Sequence, residues 1–316
     1  MSRAETIAVI GAGMIGCSWA ITFARAGHPV QLFDHVAGVG ETARDRIAEM
    51  CRPLDGGKLL RGETAAQVTG RIALAPSLEA ALDGADYVQE NTPEDLEIKR
   101  GIFREIDAQA APGATIASST SALLPSQFTD GLAGASRCMV AHPLNPPHLI
   151  PAVEIVPSPH TDPAQLERTS ALMASIGQKP VVARTEIEGF IMNRLQGAVL
   201  DEAFALVSRG VAGPEDIDAA MAHGLARRWS FMGPFETIDL NAPGGIAGFI
   251  ARYGAAYGEI GRDRPTRPDW NGALADGIIA ARRAALPLEA LAERQRWRDA
   301  RLGALAEHML RQTEGE

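Results

Sequence analysis

Between Ile7 and Asp34 the chain passes from a short apolar run into Gly11-x-Gly13-x-x-Gly16, then into a second apolar run that ends on an acid. Few folds accept that order. Ile7–Gly11 reads as a buried strand whose terminal glycine allows a tight turn. Gly13 has no Cβ, so the backbone there can approach a pyrophosphate, and Gly16 lets the next helix pack against the sheet. Met14 and Ile15 fall in the first turn of that helix, expected from Met14 to about Ala26, where unpaired N–H groups and the helix dipole favour phosphate. Pro29–Phe33 is the second strand, and Asp34 stands where a carboxylate takes ribose hydroxyls. No arginine follows it to accept a 2′-phosphate, so the expected cofactor is NAD rather than NADP.

A rival reading exists for the same stretch, because Thr6–Ala24 carries no charge and could pass for a membrane span or a signal sequence. Three patterned glycines, the acid at Glu5 and the missing cleavage site oppose it. Net charge is −9, shared as −5 over residues 1–185 and −4 over 186–316, so neither half offers a basic footprint for nucleic acid or an anionic membrane. Cys17, Cys51 and Cys138 are odd in number and show no paired spacing, which predicts neither disulfides nor a metal site. With no export signal, the expected compartment is the reducing cytoplasm.

After Asp34, residues 35–70 suggest two helices around a Pro53–Gly57 break, long enough to form an arm projecting from the sheet. Strand patterns then recur at 71–75, 86–90, 114–118, 137–142, 152–156 and 179–184, with helical patterns between several of them. Such alternation predicts an α/β fold, a doubly wound Rossmann-type sheet over residues 1–185. Past Glu186 strand signals stop and helical periodicity takes over at 190–209, 214–223, 244–257, 271–285 and 288–311, broken at Pro265, Pro268 and Pro287. This predicts an all-helical second domain over 186–316, with more apolar positions than one compact bundle hides.

Ligands of such a sheet bind beyond the strand ends. Three candidate segments lie there: Glu90–Glu94, Ser118–Ser121, and His142 with Asn145. Glu154 follows His142 by twelve residues, inside an otherwise apolar strand. If that carboxylate reaches the imidazole it fixes the tautomer and yields a general base. The residues alone leave the alternative open that His142 is a loop residue and Glu154 faces water.

Gly11–Gly16, Glu94 with Lys99, Ser121, the HPLNPP run at His142, Glu154 and the EGFIMNRL segment around Asn193 together resemble the 3-hydroxyacyl-CoA dehydrogenase family. SSTSALLPS, HPLNPPHLIPAVEIVP and MGPFETIDLNA look closest to its λ-crystallin branch, which includes L-gulonate 3-dehydrogenase. The match runs to about Asn241 and does not extend past Arg262. The resemblance implies an NAD-dependent enzyme in which His142 takes the proton of a secondary alcohol and Glu154 supports the imidazolium. Ser121 and Asn193 would bond the alcohol oxygen, Glu94 and Lys99 would lie near the nicotinamide, and substrate would lie between the domains. It also implies a homodimer formed through the helical domain.

For the substrate, Arg44, Arg46, Arg52, Lys58 and Arg61 could meet the tail of a CoA ester, or could be solvated charge. Arg228 points the other way, since the λ-crystallin and carnitine dehydrogenase groups resemble this chain in carrying an arginine there. A guanidinium suits bidentate capture of a free carboxylate. The expectation is a small free 3-hydroxy acid such as L-gulonate. The alternatives are a 3-hydroxyacyl-CoA, carnitine, or a crystallin-like structural role, and Arg228 could instead pair with Glu236 or Asp239.

Overall fold

A computed structural model describes residues 4–263 and 272–313. The chain divides into two compact units: residues 1–193 with 296–316, and residues 194–295. A division at 185/186 therefore shifts in two places. Residues 186–193 stay with the sheet because their backbone supplies contacts to it, described below, and the chain's end returns to it. The expected breaks at Pro265 and Pro268, and the helix start at Asn271, lie outside the described residues.

In the first unit β1 (Ile7–Ile10), α1 (Met14–Ala24), β2 (Val30–Phe33), α2 (Val39–Cys51), α3 (Ala65–Thr69), β3 (Ile72–Leu74), α4 (Leu78–Leu82), β4 (Tyr87–Glu90), α5 (Leu96–Gln109) and β5 (Thr115–Ser118) follow in turn. Then come α6 (Pro125–Thr129), β6 (Cys138–Pro143), β7 (Ala152–Pro157), α7 (Pro163–Ser175), β8 (Lys179–Val182) and the start of α8 (Met192–Ser208). The strands form one sheet in the order β3-β2-β1-β4-β5-β6-β7-β8. All neighbours are parallel except β6 and β7, which run antiparallel. Strand order reverses between β1 and β4, the switch point at which such sheets hold ligands.

Period-two alternation divides the apolar side chains between two faces. Ile7, Val9, Met139, Ala141, Val153 and Ile155 pack beneath α1, α2 and α7. Ala8, Ile10, Val88, Ile116, Val140 and Val156 pack beneath α4, α5 and α6. Both faces are covered, which is why the strands read as unbroken apolar runs. The uncharged α1 is a buried core helix, and no helix among the described residues is long and apolar enough to cross a membrane.

The projecting arm expected from residues 35–70 is not what forms. Ala43, Ile47, Cys51, Leu54, Leu59, Leu60 and Val68 are all buried in the first core, so the segment packs into that core instead of projecting. The three cysteines are buried and free, and burial raises their thiol pKa values, Cys51 to about 11 and Cys138 to about 12.

The second unit is helical: most of α8, then α9 (Pro214–Ala220), a π-helical turn at Met221–Leu225, α10 (Ala226–Trp229), α11 (Pro234–Asp239), α12 (Gly245–Asp263), α13 (Gly272–Ala285) and the first residues of α14 (Leu291–Thr313).

Candidate active site

At the tip of β1, Gly11 adopts φ +94°, and a Cβ there would stand 2.7 Å from the carbonyl oxygen of Asn91 at the tip of β4. A Cβ on Gly16 would lie 1.9 Å from the Gly11 carbonyl, so only glycine lets α1 start this close to the turn. Gly13 is different, for nothing lies within 4 Å of its absent Cβ. It is the N-cap of α1 with no side chain capping it, leaving the helix start at Met14 and Ile15 open to an anion. Asp34 Oδ2 accepts the N–H of Ala12 at 2.7 Å and Oδ1 that of Val36 at 2.9 Å. These bonds orient the carboxylate and leave a lone pair on each oxygen for ribose hydroxyls. Open space over Gly13, an uncapped helix start and a pre-set carboxylate fit NAD.

At the far side of the sheet the antiparallel register sets His142 directly opposite Glu154. Both point to the face of Val140 and Val156. His142 Nδ1 lies 2.9 Å from Glu154 Oε2, and both side chains are buried. The other carboxylate oxygen accepts the N–H groups of Ile191 at 2.6 Å and Met192 at 2.9 Å, at the start of α8. Gly189 and Phe190, at φ +74° and +49°, form the turn that aims those amides. A left-handed Phe costs roughly 1–2 kcal/mol. Its ring is fully buried, 5.6 Å from the imidazole. Sequence reasoning missed Phe190, although Glu188-Gly189-Phe190 ahead of a helix was its signal.

Between these places lies the 118–121 turn. Ser118 Oγ donates to Glu90 at 2.6 Å and Ser119 Oγ to Asn91 at 2.7 Å, which ties both to β4. Glu94 Oε1 accepts Thr120 Oγ1 at 2.5 Å and the N–H groups of Ser121 at 3.1 Å and Ala122 at 2.9 Å. The Ser121 carbonyl in turn accepts Asn193 Nδ2 at 2.8 Å. Ser121 is exposed with its backbone held from both sides. Glu94, Ser121 and Asn193 are thus brought together, and through Ile191 and Met192 they join Glu154 and His142. Asn145 stands exposed in the loop after β6.

Lys99 is not brought to this group. Only 1% exposed, it spends its three donors on Glu90 Oε1 at 2.9 Å, Glu90 Oε2 at 3.0 Å and the Thr92 carbonyl at 2.9 Å. Glu90 also accepts the N–H and hydroxyl of Thr92. This satisfied, buried pair braces the tips of β4 and β5 from below, and no donor remains for a nicotinamide. Sequence reasoning placed Glu90 at a strand end without foreseeing that Lys99 would pair with it.

In the second unit Arg228 Nη1 donates to Asn241 Oδ1 at 3.3 Å. It pairs with neither Glu236 nor Asp239, and Asp239 accepts the Ile246 N–H at 2.6 Å. Trp229 beside it is 39% exposed. Among the described residues no cluster of His, Cys, Asp and Glu could hold a metal ion.

Residues 6–187 match the NAD binding domain of 3-hydroxyacyl-CoA dehydrogenase, and residues 189–270 match its C-terminal domain. A lambda-crystallin homolog of Bos taurus is 42% identical over 95% of this chain and 94% of its own. An L-carnitine dehydrogenase of Pseudomonas sp is 37% identical over 97% of this chain and 94% of its own. Among solved structures, an NAD+-dependent 5-formyl-3-hydroxy-2-methylpyridine 4-carboxylic acid 5-dehydrogenase superposes with a TM-score of 0.80 at 26% identity, covering 96% of this chain and 97% of that one. The 3-hydroxybutyryl-CoA dehydrogenase of Escherichia coli K12 has a TM-score of 0.66 at 30% identity, over 76% of this chain and 50% of that one. Sequence, sheet order and cofactor turn agree, and the chain belongs to the 3-hydroxyacyl-CoA dehydrogenase family as an NAD-dependent oxidoreductase acting on CH–OH.

Proposed function

We propose that the protein oxidises the 3-hydroxyl of a small free 3-hydroxy acid, L-gulonate-like, to the 3-oxo acid, with His142 as general base. The buried His142–Glu154 pair carries this reading. With Nδ1–H given to Glu154, Nε2 is the ring atom left to take the hydroxyl proton, and the carboxylate then faces the imidazolium. Bound NAD supplies the hydride acceptor. Ser121 and Asn193 bond the alcohol oxygen and steady the carbonyl that forms. His142, Glu154, Ser121 and Asn193 are all present and joined by the hydrogen bonds described above, which favours an enzyme over a purely structural crystallin.

The substrate reading rests on Arg228, which no acid among its described contacts neutralises. We assign it to the substrate carboxylate, with Trp229 as apolar wall. L-Carnitine dehydrogenase and the pyridine 4-carboxylic acid dehydrogenase, similar to this chain over nearly its whole length, are by name enzymes of free acids. The helical unit leaves Phe231, Phe235, Leu240, Ile250, Tyr257 and Leu288 each more than half exposed, and a second copy of the chain covers them.

One preparation tests both points. Free acid should exceed the matching CoA ester in kcat/KM, and Arg228→Met should raise KM for the acid by about one to three orders of magnitude while affecting the ester little. An Arg228→Met enzyme that keeps its KM ends the assignment. The same sample should sediment as a dimer with more than about 2,000 Å² buried; a monomer at micromolar concentration refutes that part.

A further inference from the structure

The loop that follows the base, residues 144–151, is held from three directions. From α1, Ser18 Oγ lies 3.2 Å from His148 Nδ1, and Arg25 Nη1 donates to the His148 carbonyl at 2.6 Å. Ahead of β8, Gln178 Nε2 donates to the Pro147 carbonyl at 2.9 Å. The third hold is apolar and comes from the far end of the chain. Leu302 and Ala306 of α14 pack against the core cluster that contains Leu149, Leu54 and Leu59. A Cβ on Gly303 would lie 3.9 Å from Leu54 Cδ2 and Leu59 Cδ1 and 4.0 Å from Leu149 Cδ2. Glu307, one turn on, overlies Gly57, whose Cβ would meet its carboxylate at 2.6 Å.

That hold has a physical consequence. Arg25 also donates to the Leu59 carbonyl at 3.2 Å, so the 54–59 segment and the 144–151 loop form one layer, with α14 laid over it. Leu149 is 6% exposed under this cover. Removing the cover exposes Leu149, on a loop that begins two residues after His142 and carries Asn145. The covering residues lie beyond residue 270, where the match to the family's C-terminal domain ends.

We propose that residues 302–307 of α14 are a positioning element for the 144–151 loop, fixing through Leu149 the segment on which substrate binding depends. The inference rests on the reading of His142 given above, and takes Asn145, the candidate site residue exposed on the same loop, as a substrate contact. It explains why the chain's last helix returns to the sheet unit instead of ending with the helical one.

Gly303→Glu tests it by placing a carboxylate among Leu54, Leu59 and Leu149, whereas Gly303→Ala adds a Cβ at ordinary contact distance. Hydrogen exchange is followed at the amides of Leu149 and Ile150, which both donate to the Pro146 carbonyl at 3.0 Å, with Asn91 N–H to Ile10 at 2.7 Å as internal reference. In Gly303→Glu the loop amides should exchange about tenfold faster or more while the reference is unchanged. KM for the acid should rise about tenfold, with the Kd for NAD at its wild-type value. Gly303→Ala should match wild type in all of these. Unchanged loop exchange in Gly303→Glu overturns the proposal, and so does faster exchange with an unchanged acid KM. If Gly303→Glu does not fold, Leu149→Ala trims the same contact from the loop side and takes the same readouts. His142→Gln, run in parallel, separates the two ideas. If it is inactive and Gly303→Glu moves nothing, the positioning element falls alone; if it keeps full turnover, the site assignment falls.

Discussion

Asp34 at the tip of β2 and Glu154 within β7 each accept two backbone N–H groups, yet the two carboxylates are built for different work. Asp34 takes its amides from Ala12 and Val36, both within the first βαβ stretch, and stays partly open to solvent. Glu154 takes its amides from Ile191 and Met192, gives its other oxygen to His142, and is fully buried. The first keeps capacity for a ligand. The second has spent its capacity on the protein, so in the proposed reaction it would act through the imidazole and not on the substrate. On that proposal the acid at the cofactor end recognises and the acid beside His142 holds.

The sharpest way to break this contrast is at the base. His142→Gln should lower kcat by roughly 10²–10⁴ and leave NAD binding nearly intact, because the two ends share no side chain. Glu154→Gln should largely keep stability, since its carbonyl oxygen can still receive the α8 amides, but should lose activity too, because its amide nitrogen then faces His142 Nδ1 and holds the proton on Nε2. Glu154→Ala strands those amides without an acceptor and should lose stability as well, by a few kcal/mol. Steady-state kinetics beside urea unfolding of the three variants tells holding from proton transfer. A Glu154→Ala protein as stable as Glu154→Gln would show that the α8 start does not depend on the carboxylate.

The contrast also explains what could be read from the residues in advance. The cofactor end is written locally: Gly11, Gly13, Gly16 and Asp34 lie within one βαβ unit, and each glycine's role follows from its own backbone. The alternation of strand and helix patterns exposed the sheet for the same reason. The base end depends on distant partners. His142 and Glu154 meet only because β7 runs antiparallel to β6, a reversal that no composition reveals. Glu90 and Lys99 are nine residues apart across a strand tip and a helix start, a spacing shared by many solvated pairs, so their burial was hidden. Apolar residues in 35–70 suggested helices but not the surface they cover, because that surface includes Leu302 and Ala306 from the other end of the chain.

At the cofactor end the expected effect is smaller but cleaner. Asp34→Ala removes the negative charge that a 2′-phosphate would meet and an acceptor that NAD ribose uses. The ratio of kcat/KM for NAD over NADP should fall by at least about tenfold, about 1.4 kcal/mol of discrimination. The chemistry at His142 is common to both reactions, so the ratio isolates the cofactor end. An unchanged ratio in Asp34→Ala would mean that recognition lies in the glycine turn alone, and the contrast with Glu154 would lose one side.

The last effect is on stability and not on turnover, and concerns the link between the two ends, which is His148. Its ring meets Ser18 on α1, the helix that starts at the cofactor turn, while its backbone belongs to the loop that follows the base. Burial, aided by the nearby Arg25 charge, lowers its pKa from 6.5 to about 3, so the folded protein holds it neutral. The unfolded chain binds that proton more readily, and below pH 6.5 protons therefore favour unfolding. Stability should be lost at up to about 1.4 kcal/mol per pH unit as pH falls from 6.5, and the loss should level off near pH 3, where the folded state takes the proton too. His148→Asn can keep a hydrogen bond to Ser18 but has nothing to titrate. Urea midpoints measured for both proteins at pH 6.5, 5.5 and 4.5 should fall more steeply for wild type than for His148→Asn, since every other titrating group is common to the pair. Parallel curves would mean that His148 is protonated inside the fold. The cofactor helix and the substrate loop would then be joined through a cation that Arg25 should repel, and the neutral link described here would be wrong.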